Sequence, residues 1–291
     1  MPEKNGSSDN GQAHRERDMD QKTTAAAERI WLKSYADITP AEIGELKYPS
    51  VGALIEDSCR QFASRPAFEC MGKTIDYGEF ETLSRELGAW LQSLGLEKGD
   101  RVAVMMPNIL QTPVAIAAIL RAGMTVVNVN PLYTPRELQH QLTDSGAKAI
   151  IILENFAATL EQVVAKTDVK HVAVATMGDL MGLKGHIVNF VVRHIKKMVP
   201  SWSLPGHVPF KKALSVGSGK QLVDHKVGHD DIAFLQYTGG TTGVSKGAIL
   251  IHSNILANAA QNELWLQTAY IGKKQPDDLI YICALPLYHI F

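Results

Sequence analysis

The sequence predicts an α/β fold with layered, mostly parallel sheets flanked by helices. Short runs rich in β-branched residues, at residues 101–106, 125–130, 147–153 and 171–176, have the length and continuous hydrophobicity of buried strands. Amphipathic stretches of helical length separate these runs. Strands that alternate with helices in this way indicate parallel strands joined by crossover helices.

The chain enters this pattern through two helices and a hairpin. Residues 50–62 carry apolar positions at helical spacing, so a helix is predicted there. A hairpin is predicted at residues 67–75, with a Met-Gly pair in its turn. Asp76 has the position of a helix cap, and the helix that it begins is expected to stop at Gly95.

Three further helices are predicted between the buried strands. Residues 108–123 form the first, which glycine ends. The second begins at Thr134, a good cap, and carries Pro135 in its first turn. The third lies near residues 156–166.

Residues 186–199 interrupt the alternation with an amphipathic helix whose polar side is basic. Such a helix is able to lie on a membrane surface; the alternative is a helix that packs its apolar face on the core. Residues 200–228, rich in Ser, Gly, Lys and Pro, are expected to connect elements rather than form one. The apolar face comprises Ile187, Val191, Ile195 and Met198, and the basic side Arg193, His194, Lys196 and Lys197.

Composition excludes several classes of function. Hydrophobic residues make up 45% of the 291 residues, and the net charge of −1 provides no field that would attract nucleic acid. Three cysteines without paired spacing indicate a reduced, cytoplasmic protein rather than a disulfide framework or zinc site. No apolar run reaches the roughly 18 residues that span a membrane.

Residues 1–29 are polar, lack a secretory signal and are expected to be a disordered tail. The domain itself is expected over residues 30–291.

The chemistry of the chain is predicted to lie at residues 237–247, between a strand at residues 232–237 and another at residues 248–252. Four glycines let main-chain N–H groups approach an anion closely, three threonines add hydroxyl donors, and a lysine adds positive charge. This composition indicates a loop that grips a polyphosphate. The segment reads Tyr237, Thr238, Gly239, Gly240, Thr241, Thr242, Gly243, Val244, Ser245, Lys246 and Gly247.

This loop differs from the phosphate loop of kinases and GTPases. That loop needs a lysine followed by serine or threonine at the start of a helix, so that the hydroxyl reaches magnesium. Here Gly247 and a predicted strand follow Lys246. The sequence therefore argues against a P-loop kinase or GTPase.

The segment resembles the phosphate-binding loop of the adenylate-forming superfamily, which includes acyl-CoA synthetases, luciferases and peptide-synthetase adenylation domains. One departure is Ser245, where that superfamily usually has proline. Residues 99–108, 120–138 and 284–291 further resemble the bacterial long-chain fatty-acyl-CoA ligases. The stretches NPLYT and LPLYH within them favour acyl-CoA ligases over peptide-synthetase domains.

The resemblance implies a two-step reaction that consumes ATP and coenzyme A. The carboxylate of a long-chain fatty acid attacks the α-phosphate of ATP, giving an acyl-adenylate and pyrophosphate; the coenzyme A thiol then displaces AMP. Mg²⁺ and oriented N–H donors are expected to neutralise the phosphates. Residues 238–246 would hold the β- and γ-phosphates, with Thr241 and Thr242 as side-chain contacts and Lys246 as the catalytic charge. The expected location is the cytoplasm, with peripheral contact at the inner face of the cytoplasmic membrane.

His289, within LPLYH, is the second catalytic residue that the resemblance implies. The family places a histidine there, near the acyl carboxylate and the pantetheine tunnel. A neutral imidazole would orient the carboxylate without adding charge. The alternative is a histidine packed at the end of a strand.

The resemblance places several functional elements beyond Phe291. They include the stretch that contacts adenine and magnesium, the ribose-binding aspartate and a mobile C-terminal domain, so no metal ligand is assigned here. The sequence is interpreted as an incomplete N-terminal AMP-binding domain that folds poorly alone and does not complete the reaction. Two alternatives remain: a ligase for another carboxylic acid, and a non-catalytic nucleotide-binding fragment.

Overall fold

The computed structural model describes residues 29–238 and 245–289. These residues separate into two compact units. The smaller comprises residues 29–44 and 261–275, and the larger comprises the other described residues. In the smaller unit a 3₁₀ helix spans Ile30–Ser34, and the rings of Tyr35 and Trp265 meet edge to face with their centroids 5.0 Å apart.

The larger unit is built on a sheet of seven strands, with a separate hairpin. The hairpin pairs β1 (Pro66–Cys70) with β2 (Lys73–Asp76). The sheet contains β3 (Arg101–Met105), β4 (Thr125–Asn128), β5 (Ala149–Leu153), β6 (His171–Ala175), β7 (Val208–Pro209), β8 (Ile232–Thr238) and β9 (Lys246–Ile251). Their order is β7-β6-β5-β3-β4-β8-β9, and every pair is parallel except β8 with β9.

Helices cover both faces of this sheet. The described helices are α1 (Val51–Gln61), α2 (Tyr77–Ser93), α3 (Gln111–Arg121), α4 (Pro135–Ser145), α5 (Ala157–Glu161), α6 (Lys184–Phe190), α7 (Phe210–Gly217) and α8 (His252–Thr268). A turn of π-helix, Val191–Ile195, continues α6. One core cluster buries α1, α2 and α3 against the sheet, and a second lies under α4 and α5. The predicted α/β fold is confirmed.

Local sequence signals position several of these elements as predicted. The side chain of Ser50 accepts a hydrogen bond at the start of α1, and that of Asp76 does so at the start of α2. Thr134 forms a reciprocal capping box with Glu137, and Pro135 occupies the first turn of α4. The turn between β1 and β2 holds its Met-Gly pair at positive φ.

The expectation that residues 200–228 only connect other elements is wrong. They contain β7 and α7, and the side chain of Phe210 is fully buried. A Cβ atom on Gly217 would collide with the carbonyl oxygen of Glu86 in α2. The glycine that indicated a loop therefore serves close packing of two helices instead.

Two predicted helices also differ in extent. The helix expected at residues 108–123 begins only at Gln111, because the chain first turns at the carboxyl end of β3. The helix expected near residues 156–166 is broken into α5 and two flanking 3₁₀ turns, Glu154–Phe156 and Val164–Lys166.

The basic amphipathic helix turns its apolar side to solvent. Ile187 is 67% exposed and Ile195 is 61% exposed, so the core-facing arrangement does not form at these positions. Arg193 lies differently from the other basic residues, because its guanidinium binds the buried carboxylate of Glu154. In the described part of the chain, no helix is long and apolar enough to cross a membrane.

Candidate functional site

The predicted phosphate loop connects β8 with β9 at the carboxyl edge of the parallel sheet. Thr238 ends β8 and pairs with Lys246, which begins β9. Lys246 therefore opens a strand, as the argument against a P-loop enzyme expected. Open α/β sheets bind ligands at this edge. The predicted contacts Gly239, Gly240, Thr241, Thr242, Gly243 and Val244 lie outside the described residues.

Two hydrogen bonds hold the base of this loop. The hydroxyl of Ser245 donates to the carbonyl oxygen of Thr238 at 2.6 Å, which closes the loop across its two ends. Nε2 of His140, on α4, lies 3.0 Å from the carbonyl oxygen of Ser245 and donates to it. The side chains of Thr238 and Lys246 are exposed, so both are accessible to an anion.

Tyr237, the first residue of the predicted loop, has a buried side chain. Its hydroxyl donates to Oδ2 of Asp144, on α4, at 2.5 Å. Burial and this hydrogen bond raise the pKa of Tyr237 well above its usual value, so the phenol stays protonated. A Cβ atom on Gly247, the cross-strand partner, would lie 3.0 Å from the Tyr237 ring. Gly247 thus leaves room for the Tyr237 ring.

Asn108, just beyond β3, holds the segment that leads to His289. Its Nδ2 donates to the carbonyl oxygens of Cys283 and Leu285, each at 2.8 Å. Its Oδ1 accepts from the main-chain N–H of Leu287, also at 2.8 Å. One side chain therefore binds three main-chain groups within residues 283–287, which overlap the start of LPLYH.

A second contact ties the same segment directly to β8. Nε2 of Gln236 donates to the carbonyl oxygen of Tyr288 at 3.0 Å, while its Oε1 accepts from Asn128 of β4 at 3.1 Å. Gln141 of α4 in turn donates to the carbonyl oxygen of Asn128 at 2.7 Å. Gln236 immediately precedes the predicted phosphate loop, so this network brings LPLYH to the same edge of the sheet.

His289 lies at the exposed end of this segment. Its ring stacks obliquely against that of Tyr288, with centroids 4.7 Å apart, and its main-chain N–H bonds to Pro286. The side chain is accessible rather than packed at the end of a strand. Lys246 begins β9, which pairs with β8, and His289 follows Tyr288, which Gln236 of β8 binds. Strand β8 therefore contacts both segments that carry the predicted catalytic residues.

His252, at the far end of β9, has a structural environment. Its Nδ1 accepts the main-chain N–H of Val51, in the first turn of α1, at 3.1 Å. Burial lowers the pKa of His252, which favours the neutral ring that this hydrogen bond requires. The residue joins two helices and is not part of the loop.

Comparison with known proteins places these features in a family. The AMP-binding enzyme family matches residues 55–291. The chain belongs to the AMP-binding enzymes. Among curated members it is 53% identical over 265 residues to a protein of Salmonella typhimurium named long-chain-fatty-acid–CoA ligase, and 47% identical to one of that name from Haemophilus influenzae.

The chain spans about half the length of the AMP-binding enzymes that it matches. The Salmonella alignment covers 90% of this chain but 46% of the relative, and the Haemophilus alignment covers 91% and 47%. Among solved structures, a long-chain-fatty-acid–CoA ligase from Archaeoglobus fulgidus is 25% identical with a TM-score of 0.57, and covers 84% of this chain and 46% of its own.

Sequence reasoning missed the residues that position the site. They share one signal, which is a polar side chain at the carboxyl end of a buried apolar strand or on the helix beside it. Such side chains are expensive to bury unless they are hydrogen-bonded, and they meet at one edge of a parallel sheet. The residues are Asn108, Asn128, Gln236, His140, Gln141 and Asp144.

Proposed function

We propose that the enzyme to which this chain belongs is an ATP-dependent long-chain fatty acid–CoA ligase. The observation that carries the proposal is its roughly 50% identity, over nine tenths of the chain, to curated ligases of that name. The accessible Thr238–Lys246 pair at the mouth of the glycine-rich loop supports it, because a nucleotide polyphosphate requires such a combination of charge and main-chain donors.

In this proposal the chain binds the nucleotide and orients the acid. The loop at residues 237–247 grips the β- and γ-phosphates, with Lys246 as the fixed positive charge and Tyr237 as its buried support. The acid carboxylate forms a bond to the α-phosphorus and pyrophosphate leaves; the thiol sulfur of coenzyme A then bonds to the acyl carbon and AMP leaves. His289 orients the carboxylate at the edge where Gln236 and Asn108 hold its segment.

Mg²⁺ is the metal ion that the proposed reaction implies. The described residues contain no group of three or more His, Cys, Asp or Glu side chains able to hold a metal ion. Mg²⁺ usually keeps few protein ligands and binds substrate phosphates. In this proposal the loop at residues 237–247 would hold the phosphates to which the ion binds.

The substrate is tested in a chimera. This chain replaces the matching segment of the Salmonella typhimurium relative, and acyl-CoA formation is measured with palmitate, benzoate and 4-coumarate at equal concentration. The proposal expects palmitoyl-CoA as the principal product. A folded chimera that prefers an aromatic acid would overturn the long-chain assignment, and one that makes no thioester from any acid would overturn the ligase assignment.

A further inference from the structure

Residues 183–198, comprising α6, its π-helical turn and their flanks, form a surface that we call the α6 surface. A helix in a globular protein ordinarily turns its apolar side to the core, but this one turns much of that side outward. The exposed fractions are 88% for Leu183, 67% for Ile187, 57% for Phe190, 61% for Ile195 and 55% for Met198.

Basic residues lie next to these apolar residues in the chain. Residues 180–223 contain seven lysines and arginines and no aspartate or glutamate, although the whole chain has a net charge of −1. Lys184, Lys196 and Lys197 belong to the α6 surface and are exposed. Apolar groups with a basic border are the composition of helices that lie in the interface of an anionic membrane.

The α6 surface is fixed to the sheet rather than loosely attached. Nη2 of Arg193 lies 2.7 Å from Oε2 of Glu154, whose buried carboxylate follows β5. Nδ2 of Asn155 donates to the carbonyl oxygen of Met198 at 3.0 Å. The charge of Arg193 is thus paired with Glu154 inside the protein, whereas the exposed lysines can contact an external partner.

We propose that the α6 surface docks the protein on an anionic lipid bilayer. Ile187, Phe190 and Ile195 would enter the boundary between head groups and acyl chains, and the lysines would meet lipid phosphates. The surface lies at the carboxyl ends of β5 and β6, the same edge as the phosphate loop. Four strand spacings separate β6 from β8, or about 20 Å. The docking site would thus lie beside the nucleotide site without covering it.

The test is flotation of the 291-residue chain with vesicles in a density gradient, without ATP or fatty acid. Vesicles of pure phosphatidylcholine are compared with vesicles that contain 30% phosphatidylglycerol. Binding to the anionic vesicles is expected, with loss at high salt. The variant Lys196→Gln/Lys197→Gln should weaken it by roughly tenfold or more, since each lysine near the surface contributes to attraction.

The matched control is Lys166→Gln/Lys170→Gln, which removes the same charge before the opposite, amino end of β6. It should change binding less than twofold.

Ile187→Ser/Phe190→Ser should weaken binding to anionic vesicles without removing its salt dependence. Failure to float, equal binding to both vesicle types, or equal losses in the two lysine variants would overturn the proposal. Self-association that Ile187→Ser/Phe190→Ser abolishes, without flotation, would identify a protein interface instead. None of these readouts depends on ligase activity.

Discussion

At the scale of single residues, the predicted phosphate loop begins at a tyrosine whose hydroxyl is bound to a neighbouring side chain. The buried ring of Tyr237 lies against Gly247, and its hydroxyl is committed to Asp144. Loops that grip phosphate act through preorganised main-chain donors, so a rigid base should contribute to binding as well as to stability. Removing this hydroxyl alone therefore tests the support of the loop without removing its threonines or its lysine.

We expect Tyr237→Phe to lower the free energy of unfolding by about 1 kcal/mol, because it removes the hydrogen bond from the buried phenol to the exposed carboxylate of Asp144. In the chimera it should also raise the KM for ATP. Denaturant titration and steady-state kinetics measure the two effects. The control is Tyr48→Phe, which removes a comparable bond to Asp57 in α1. If both variants changed the KM for ATP equally, Tyr237 would have no special role in the loop.

A second residue-scale prediction concerns pH. Burial lowers the pKa of His252, so the folded chain disfavours the protonated ring. The stability that the neutral ring contributes is present above the pKa of an unfolded histidine, about 6.5, and is lost as the pH falls below it. His252→Asn keeps an acceptor for Val51 but cannot titrate. The free energy of unfolding should fall more steeply between pH 7 and pH 5 in the unaltered chain, by up to about 1.4 kcal/mol per pH unit. Parallel slopes in the two proteins would contradict this role.

At the scale of elements, the LPLYH segment has no secondary structure of its own and depends on Asn108. Replacement by alanine removes all three of its hydrogen bonds. Hydrogen exchange of the Leu287 amide should accelerate by roughly tenfold or more in Asn108→Ala. Gln92→Ala is the matched control, because Gln92 binds the Val223 main chain in the same way. It should release the Val223 amide and leave Leu287 protected; unchanged exchange at Leu287 in Asn108→Ala would refute the assignment.

Elements with local signals could be predicted from the sequence, and those that depend on distant packing could not. Apolar runs such as residues 101–106 and caps such as Thr134 determine structure within a few residues. The sequence does not predict α7, because Gly217 locally indicates a turn. In the fold this glycine allows close packing against Glu86, which is distant in the sequence. The composition of residues 237–247 is enough to predict the loop. The side chains that contact its two ends come from separate elements, which only the fold brings together.

At the scale of the whole molecule, the segment before LPLYH leaves apolar groups exposed. Ile280 is 91% exposed and Ile282 is 90% exposed, and this stretch forms no strand. Unpaired apolar chain invites association with other chains. We expect the 291-residue chain to self-associate at micromolar concentration, and Ile280→Lys/Ile282→Lys to increase the monomer fraction in sedimentation velocity. A monomer that the substitutions leave unchanged would show that the segment is protected.

The central claim, that this chain grips the phosphates of ATP through the loop before Lys246, is tested most directly by pyrophosphate release. The chimera is assayed with ATP and palmitate beside Lys246→Ala/Thr241→Ala, with Lys170→Ala as control. Palmitate-dependent release should fall by at least a hundredfold in the double variant, the scale of a lost electrostatic contact to a reacting group, and stay unchanged in the control. Equal release from all three proteins would contradict the claim.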